Sequence, residues 1–445
     1  MAHRVNRRLF LKQSALAGAL VLVGPGLAKT YAQNNKLNFA FVGVGGRGGA
    51  HLGMGEEENC VALCDVDLNP VNEAKKKFPD AKVYQDYRKL FGEMAKQIDA
   101  VVVATPDHHH APAAMRAMAL GKHVYCEKPL TWSIHEAREM ANMARKMKVA
   151  TQMGNQGHAG DGNRRVVEWV NDGAIGTVRE IHTWTNRPVW PQGYAKLPEK
   201  EAVPDTLNWE GWIGPGPARE RYKNMHGFAW RGWLDYGTGT IGDMGCHTWD
   251  SVWWSMNPGA PLSCELVKSN NRNELTHPSN QILKWEFGPT SKRPGFAAFW
   301  HDGGWKPPVP DEIKNDPARS KKELPDSASL YIGTKGKMLV EGDYGDSPRL
   351  IPEEAMKAYK QPERMESSPG HHKEFLMAAK GEKPWDYPKS NFTYGGPLVE
   401  AMLLGIVAMR AGEKVKWDPK NLRITNSPKA NRFIRRVYRK GWELI

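Results

Sequence analysis

The sequence predicts an α/β protein of two domains: an N-terminal Rossmann dinucleotide-binding domain and a C-terminal α+β domain with an open, mostly antiparallel sheet. Over residues 37–152, apolar runs of strand length alternate with helix candidates, which is typical of parallel βαβ units. Over residues 153–412, strand candidates mostly follow one another without intervening helices, which favours antiparallel pairing. A chain of 445 residues is long enough for two domains with separate cores.

Residues 1–32 are typical of an export signal. Arg7 and Arg8 stand before a modest apolar run, residues 14–28, which Pro25 interrupts. The run is too short for a membrane-spanning helix, which needs ~20 apolar residues. Adjacent arginines before such a run indicate the twin-arginine translocation machinery as a partner and a periplasmic location. Because that route carries folded proteins, any cofactor would be taken up before export.

The basic charge of the chain is concentrated at its two ends. Of the net charge of +13, residues 1–32 carry +5 and residues 413–445 carry +7, so the rest is close to neutral. This distribution argues against a nucleic-acid-binding surface. It also predicts that residues 413–445 form a basic C-terminal arm, lying across the first domain or a neighbouring subunit. The five cysteines include no C-x-x-C pair and require no disulfide framework.

The first apolar run, residues 37–44, leads directly into a G-x-G-x-x-G motif. Its glycines permit a tight turn and a close backbone approach to a pyrophosphate. A second strand, residues 60–64, ends at Asp65, where a carboxylate can hold the adenosine ribose and repel a 2′-phosphate. NAD is therefore the expected cofactor and NADP is less favoured, although Arg47 would offset part of that repulsion. The cofactor-binding candidates here are Gly43, Gly45, Gly46, Arg47, Gly48 and Asp65.

Two further strands deliver polar segments to the same edge of the predicted sheet. Ligands of open α/β sheets bind at the carboxyl ends of the strands, so both segments are expected to face the cofactor. Residues 99–104 are followed by Thr105-Pro106, and residues 123–126 are followed by Glu127-Lys128-Pro129.

With these motifs the chain resembles the glucose–fructose oxidoreductase, inositol dehydrogenase and rhizopine-catabolism family (Gfo/Idh/MocA) over residues 37–412. The resemblance implies a nicotinamide-dependent oxidoreductase that acts on a sugar or polyol and forms homo-oligomers, dimers or tetramers. It also implies that Thr105, Pro106 and His110 lie against the nicotinamide ribose. The motifs that carry the resemblance are the GVGGRG turn from Gly43, Asp65, the TPDHHH segment from Thr105, the EKP triplet from Glu127 and the DMGCH segment from Asp243.

The same resemblance assigns the reacting centre to Lys128, Asp243 and His247: a lysine touching nicotinamide and hydroxyl, a substrate-binding acid and a proton-transfer histidine. Alcohol oxidation releases a proton, and histidine is a suitable base without large tuning of its pKa. A lysine partly desolvated beside the positive nicotinamide is expected to have a lowered pKa and to stabilise an alkoxide. Asp243 and His247, four residues apart, share one face if their segment is helical.

The candidates for substrate contact combine aromatic and planar cationic side chains. A sugar ring presents apolar C–H faces and a rim of hydroxyls, which indole faces and guanidinium donors match. Many of the seventeen tryptophans lie between residues 184 and 254. For each of them the alternative is a contact in the core or between subunits. The substrate-binding candidates are Asn155, Gln156, Arg187, Trp190, Trp230 and Arg231.

No metal site is predicted. His108, His109 and His110 are consecutive and are expected at the end of a strand, from which they do not point to a common ion. His371 and His372 open a helix candidate, and we interpret them as structural.

Two further functions stay open alongside the dehydrogenase. An exported enzyme that retains its NAD can oxidise and then reduce the same molecule, which gives net glycoside cleavage through elimination, or epimerisation. It can also couple oxidation of one sugar to reduction of another. The third hypothesis is a non-catalytic sugar or nucleotide sensor on the same scaffold. Its signature would be loss of the lysine or the histidine, and both Lys128 and His247 are present.

Overall fold

The computed structural model describes residues 35–445, so the export signal predicted for residues 1–32 lies outside the described residues. The N-terminal domain contains a six-stranded sheet in which all neighbouring strands are parallel, in the order β3-β2-β1-β4-β5-β6. Its strands are β1 (Asn38–Val42), β2 (Asn59–Cys64), β3 (Lys82–Tyr84), β4 (Ala100–Val103), β5 (His123–Cys126) and β6 (Thr151–Met153).

Helices cover both faces of this sheet because its central strands are apolar on both sides. All four side chains of β4 are buried, without the alternation of a half-exposed strand. The predicted Rossmann domain is confirmed. Its helices are α1 (Gly53–Glu57), α2 (Leu68–Lys77), α3 (Tyr87–Met94), α4 (Asp107–Ala119) and α5 (Ile134–Met147).

The C-terminal domain contains an open nine-stranded sheet in the order β13-β12-β11-β7-β10-β9-β8-β14-β15. Its neighbouring strands are antiparallel except for β7 and β10, which confirms the mostly antiparallel sheet predicted for this domain. The strands are β7 (Val178–Trp184), β8 (Ser263–Asn270), β9 (Asn280–Phe287), β10 (Phe296–His301), β11 (Ala328–Gly333), β12 (Lys337–Glu341), β13 (Ser347–Ile351), β14 (Val415–Asp418) and β15 (Arg423–Ile424).

The long helix Phe392–Ala411, labelled α12, joins the two domains. By length and composition it could cross a membrane, but most of it is buried inside the fold. A Cβ on its Gly396 would lie 2.8 Å from the Cβ of Ala141 in α5, so this glycine allows the two helices to touch. The helices of this half of the chain are α6 (Asp161–Asp172), α7 (Trp209–Ile213), α8 (Gly239–Met256), α9 (Asp311–Lys314), α10 (Glu353–Ala358), α11 (His371–Ala379) and α12 (Phe392–Ala411).

Two segments of the second half of the chain reach back to the N-terminal domain. The stretch 185–238, between β7 and α8, forms a β-bridge from Leu207 to Asp67 at the end of β2. Residues 413–445 begin in the nine-stranded sheet as β14 and β15 and end with Trp442 packed against α3. Both segments therefore lie beside the carboxyl edge of the parallel sheet.

The expectation that His108–His110 end a strand is wrong. Helix α4 begins at Asp107, and the three histidines belong to its first turns. Pro106 directly before it is extended, with φ −58° and ψ 153°, and Asp107 brings a negative charge to the helix N-terminus. A helix therefore begins earlier than the apolar pattern of the sequence suggests.

Candidate active site

A cavity of about 730 Å³ runs along the carboxyl edge of the six-stranded sheet, between the two domains. The turns after β1 to β5 form its floor, and α8 with the 185–238 segment forms the opposite wall. Its volume is in the range of small-molecule and cofactor sites. The carboxyl edge is also where open α/β sheets bind their ligands.

The G-x-G-x-x-G turn borders this cavity, and two of its glycines are required by close contacts. Gly43 has a φ of +83°, and a Cβ there would lie 2.6 Å from the carbonyl oxygen of Ala104. A Cβ on Gly48 would lie 2.1 Å from the carbonyl oxygen of Gly43. Around Gly46, in contrast, no described atom lies within 4 Å of the Cβ position. Gly43, Gly45, Gly46 and Arg47 line the cavity, whereas Gly48 lies outside the lining.

Asp65 and Thr105 give the cavity polar groups that suit a dinucleotide. Oδ2 of Asp65 accepts hydrogen bonds from the backbone N–H groups of Val44 at 2.9 Å and Gly45 at 3.3 Å. Burial raises the pKa of Asp65 against the opposing effect of these bonds. The buried hydroxyl of Thr105 has no hydrogen-bond partner among the described residues, so a bound ligand can satisfy it. The glycine turn, the acid and this hydroxyl together fit a nicotinamide dinucleotide.

Glu127, the first residue of the EKP triplet, is the centre of a buried polar network. Its Oε1 lies 2.6 Å from Nε2 of His51, and it accepts hydrogen bonds from Arg47 and Gln156, each at 3.1 Å. Burial favours the neutral acid, but His51, Arg47 and Lys128 outweigh it and lower the pKa of Glu127. The carboxylate therefore stays charged and ties the glycine turn to the strand end that carries Lys128.

Lys128 and Asp243 meet across the boundary between the domains. Nζ of Lys128 donates to Oδ1 of Asp243 at 3.0 Å and to the carbonyl oxygen of the same residue at 2.6 Å. Nε of Arg231 lies 3.2 Å from the same Oδ1. Burial lowers the pKa of Lys128, but Asp243 and Glu127 outweigh burial, so the pKa is raised. The carboxylates therefore keep the lysine charged, and the lowering expected beside a bound nicotinamide stays a prediction.

His247 lies one helical turn after Asp243 on α8, and both residues line the cavity, as their spacing predicts for a helix. The imidazole is buried, and its centroid lies 4.6 Å from that of Tyr344, in the turn between β12 and β13. Burial, aided by the charge of Lys128, lowers the pKa of His247 to about 3. The expectation of an ordinary pKa is therefore wrong, and the ring is neutral at physiological pH.

Four of the six substrate-binding candidates line the cavity: Gln156, Arg187, Trp230 and Arg231. The guanidinium carbon of Arg231 lies 4.4 Å from the centroid of the Trp230 ring, so the two form one stacked surface. Trp190 lies outside the lining and donates its N–H to Gln192. Asn155 is buried behind the cavity wall, where it accepts a hydrogen bond from Ser390. The structure does not bring these last two to the site.

The three consecutive histidines of α4 bind backbone carbonyls. The ring nitrogens of His110 lie 2.7 Å from the carbonyl oxygen of Pro129 and 2.8 Å from that of Thr105. His110 therefore braces the two strand ends from outside the cavity lining. His108 and His109 both lie 2.8 Å from the carbonyl oxygen of Trp212. Among residues 35–445, no group of three metal-ligating side chains converges.

Several lining residues are aromatic and were not singled out from the sequence. Tyr87 lies three residues after the end of β3, a strand too short to be evident from the sequence. The others come from distant segments, and their approach depends on the assembled fold. These residues are Tyr87, Trp212, His226, Phe228, Tyr344 and Trp442.

Comparison with known families agrees with this architecture. Residues 37–155 match the NAD-binding Rossmann fold of the Gfo/Idh/MocA oxidoreductase family, and residues 166–275 match the C-terminal alpha/beta domain of the same family. Together the two matches span just over half of the chain. The chain belongs to the Gfo/Idh/MocA oxidoreductase family. Its first domain is an NAD-binding Rossmann domain.

Curated relatives of this family member match over part of their length. A glycosyl hydrolase family 109 protein from Shewanella putrefaciens is 27% identical over 209 residues, covering 39% of this chain and 44% of that protein. A 2,7-anhydro-N-acetylneuraminate hydratase from Mediterraneibacter gnavus is 30% identical over 151 residues, covering 34% and 40%. The chain thus spans less than half the length of these relatives.

Solved structures share the fold over nearly their whole length. The WlbA dehydrogenase from Bordetella pertussis, in complex with NADH and UDP-GlcNAcA, superposes with a TM-score of 0.59 and 16% identity, covering 86% of this chain and 99% of that one. The aldose-aldose oxidoreductase from Caulobacter crescentus, complexed with glycerol, gives a TM-score of 0.54 and 16% identity, covering 86% and 100%.

Proposed function

We propose that this protein transfers a hydride between bound NAD and a ring hydroxyl of a sugar or polyol, with Lys128, Asp243 and His247 at the reacting centre. The observation that carries the proposal is the pairing of Lys128 with Asp243 in the same cavity as the glycine turn and His247. A charged donor, a carboxylate and a neutral imidazole beside a nucleotide site are the groups that alcohol oxidation needs.

Each of the three residues has a distinct chemical role in this proposal. The bound nicotinamide supplies the hydride acceptor or donor. The ammonium of Lys128, kept charged by Asp243, donates a hydrogen bond to the reacting oxygen and stabilises negative charge that develops there. The neutral imidazole of His247 accepts the hydroxyl proton. Asp243 orients the lysine and accepts from a neighbouring hydroxyl.

A sugar or polyol is the substrate class that the remaining lining suits best. The stacked Trp230 and Arg231 offer a flat surface to the C–H face of a ring. Arg187 and the amide of Gln156 add donors for the hydroxyl rim. Sugar-modifying relatives and a structural neighbour with a nucleotide sugar support the same class.

Redox-neutral chemistry is the second candidate. It is favoured by the presence of the nucleotide-site candidates and the substrate-site candidates in the lining of one cavity, which suits repeated use of one NAD. The hydratase and the glycosyl hydrolase family 109 protein among the relatives support it too. Oxidation next to a leaving group, elimination of that group, addition of water to the resulting double bond and final reduction of the carbonyl would then regenerate NAD within each turnover.

Cofactor preference, assembly and location complete the proposal. Asp65, at the carboxyl end of β2, favours NAD over NADP because its carboxylate repels a 2′-phosphate. Export through the twin-arginine route to the periplasm follows from Arg7 and Arg8. A dimer or tetramer is the assembly that we propose.

A panel of aldoses, polyols and glycosides tests the proposed function. The NAD-loaded protein is incubated with each compound, with and without an external acceptor, and products are identified by mass spectrometry. Reduction of bound NAD by a sugar supports the dehydrogenase, and turnover without an acceptor supports the redox-neutral candidate. Failure of every compound to reduce the nucleotide or to be converted would contradict both.

A further inference from the structure

We propose that residues 434–445 complete the nucleotide site, and that Trp442 closes the end of the cavity that receives the adenine base. The inference rests on the proposed function, because it assigns chain-specific residues to the nucleotide which that function requires. Residues 434–445 would therefore slow the release of bound NAD.

The strand order fixes which end of the cavity Trp442 occupies. The sheet runs β3-β2-β1-β4-β5-β6, and the cavity follows its carboxyl edge. Lys128 lies after β5, in one half of that edge, and Asp65 lies after β2, in the other half. Trp442 contacts Tyr87, just after β3, with ring centroids 5.7 Å apart. The tryptophan therefore lies where α3 and α4 begin, on the side of the cavity that Asp65 borders.

Trp442 is an integral part of the wall. Its side chain is buried, with 6% exposure, although it comes from the last turn of a mostly exposed segment. Its ring meets His109 edge-on at 5.4 Å, and the guanidinium carbon of Arg88 lies 3.6 Å from its centroid. Together with Tyr87, these contacts hold the indole in one position.

Residues 434–445 are anchored to both domains before they reach the cavity. The guanidinium carbon of Arg436 lies 3.2 Å from the ring centroid of Trp132, and the hydroxyl of Tyr438 donates to Glu136 at 2.6 Å. Arg439 pairs with Glu210, in α7 of the second domain. Release of Trp442 would therefore break a set of contacts rather than a single one.

The 185–238 segment lies opposite Trp442 across the cavity. Trp212, in α7, lines the cavity and stacks on Trp209 with centroids 4.6 Å apart and planes 5° from parallel. Tyr87, Trp212 and Trp442 thus give this end of the cavity three aromatic walls. Adenine is a flat aromatic base, and aromatic side chains bind bases by stacking. The position of these walls, beside Asp65 and away from Lys128, assigns them to the adenosine half of a dinucleotide rather than to the nicotinamide half.

Binding of half-ligands tests the assignment without an enzymatic substrate. The affinities of ADP-ribose and of reduced nicotinamide mononucleotide are measured by calorimetry, and the NADH dissociation rate by displacement with excess NAD. The variants are Trp442→Ala, Trp442→Phe and Arg439→Ala, whose side chain lies outside the cavity lining. Val437→Ala is the matched control, since Val437 lies in the same segment and is 92% exposed.

We expect Trp442→Ala to weaken the binding of ADP-ribose and to accelerate NADH release, each by about tenfold or more. Trp442→Phe should have an intermediate effect on both. Arg439→Ala accelerates release through the loosened anchor, even if Trp442→Ala folds poorly. All variants bind reduced nicotinamide mononucleotide with the wild-type affinity. Val437→Ala leaves the affinities and the NADH dissociation rate unchanged. Wild-type dissociation rates in folded Trp442→Ala and Arg439→Ala would overturn this inference alone. A wild-type protein that binds neither NADH nor ADP-ribose would overturn the proposed function instead.

Discussion

Nζ of Lys128 donates to both the side chain and the backbone carbonyl of Asp243, at 3.0 Å and 2.6 Å, although the two residues belong to different domains. Neither domain alone contains this pair. The lysine comes from the end of β5 in the nucleotide domain, and the acid comes from α8 in the second domain. Docking of the domains therefore assembles the polar centre next to the nucleotide site, and variants of this pair report on the chemistry directly.

Replacement of Lys128 by alanine should lower kcat by about 10²- to 10³-fold, the usual cost of removing one donor to a developing oxyanion. Nucleotide content should stay near that of the wild type, because the glycine turn and Asp65 are intact. Lys89→Ala, at an exposed ion pair on α3, is the control and should leave both quantities unchanged. Full biological function in the Lys128→Ala strain would favour a non-catalytic sensor.

Removal of the Asp243 charge should move the alkaline limb of the pH profile. Asp243 raises the pKa of Lys128, so Asp243→Asn lowers it and the ammonium is lost at a lower pH. Arg231 lowers the same pKa, so Arg231→Gln should shift the limb to higher pH. The measurement is kcat/KM against pH for the three proteins. Limbs that coincide would show that Lys128 does not set this ionisation.

His247 should give no ionisation near neutrality. Burial lowers its pKa to about 3, so the imidazole is unprotonated at every pH well above that value. His247→Asn should reduce kcat by about 10²- to 10⁴-fold across the profile, as expected for loss of a general base. An acid limb near pH 6.5 that disappears in His247→Asn would contradict this environment for the histidine.

Asp65 should control the choice between the two nicotinamide dinucleotides. Asp65→Asn keeps an oxygen for the N–H groups of Val44 and Gly45 but removes the charge that opposes a 2′-phosphate. The ratio of NADPH to NADH affinity should rise about tenfold, equivalent to ~1.4 kcal/mol. Fluorescence titration measures it, with Asp99→Asn, outside the cavity lining, as the control. An unchanged ratio would show that another residue determines the preference for NADH over NADPH.

Two glycines of the turn should differ in their tolerance of alanine. Gly43→Ala combines a positive φ with a Cβ 2.6 Å from a backbone oxygen, so we expect a loss of unfolding free energy above ~3 kcal/mol. In Gly46→Ala the backbone is strained at φ +50°, but no described atom lies within 4 Å of the new Cβ. The unfolding free energy is therefore expected to fall by about 1 kcal/mol. Thermal unfolding compares the two. Equal losses would contradict the close approach of Ala104 to Gly43.

The sequence predicts well those parts of the fold that local patterns determine. The apolar run before Gly43 and its glycine spacing define the nucleotide turn, and the four-residue spacing of Asp243 and His247 needs only a helix to put both on one side. The strands β9 to β12 have an apolar pattern and a length that are clear in the sequence. The mixed polar strands β8 and β13 have no such pattern, since their stability depends on neighbours in the sheet.

The features of the site that the sequence does not predict depend on tertiary contacts. The raised pKa of Lys128 and the lowered pKa of His247 follow from burial and from charges brought together by domain docking. Trp442 reaches the cavity from the far end of the chain. Trp190 satisfied the same chemical criterion as Trp230, and only the path of the 185–238 segment separates them. Residue type indicates chemistry, whereas the assembled fold decides which candidates face the ligand.

Identification of the nucleotide carried by the purified protein is the most direct test of whether it is an oxidoreductase that retains NAD. The full chain is expressed with its first 32 residues, purified from the periplasm and denatured, and the released nucleotide is identified by mass spectrometry. We expect NAD or NADH at close to one molecule per chain, retained through gel filtration. Absence of any nucleotide, together with no binding of added NAD or NADP to the folded protein, would contradict the oxidoreductase assignment.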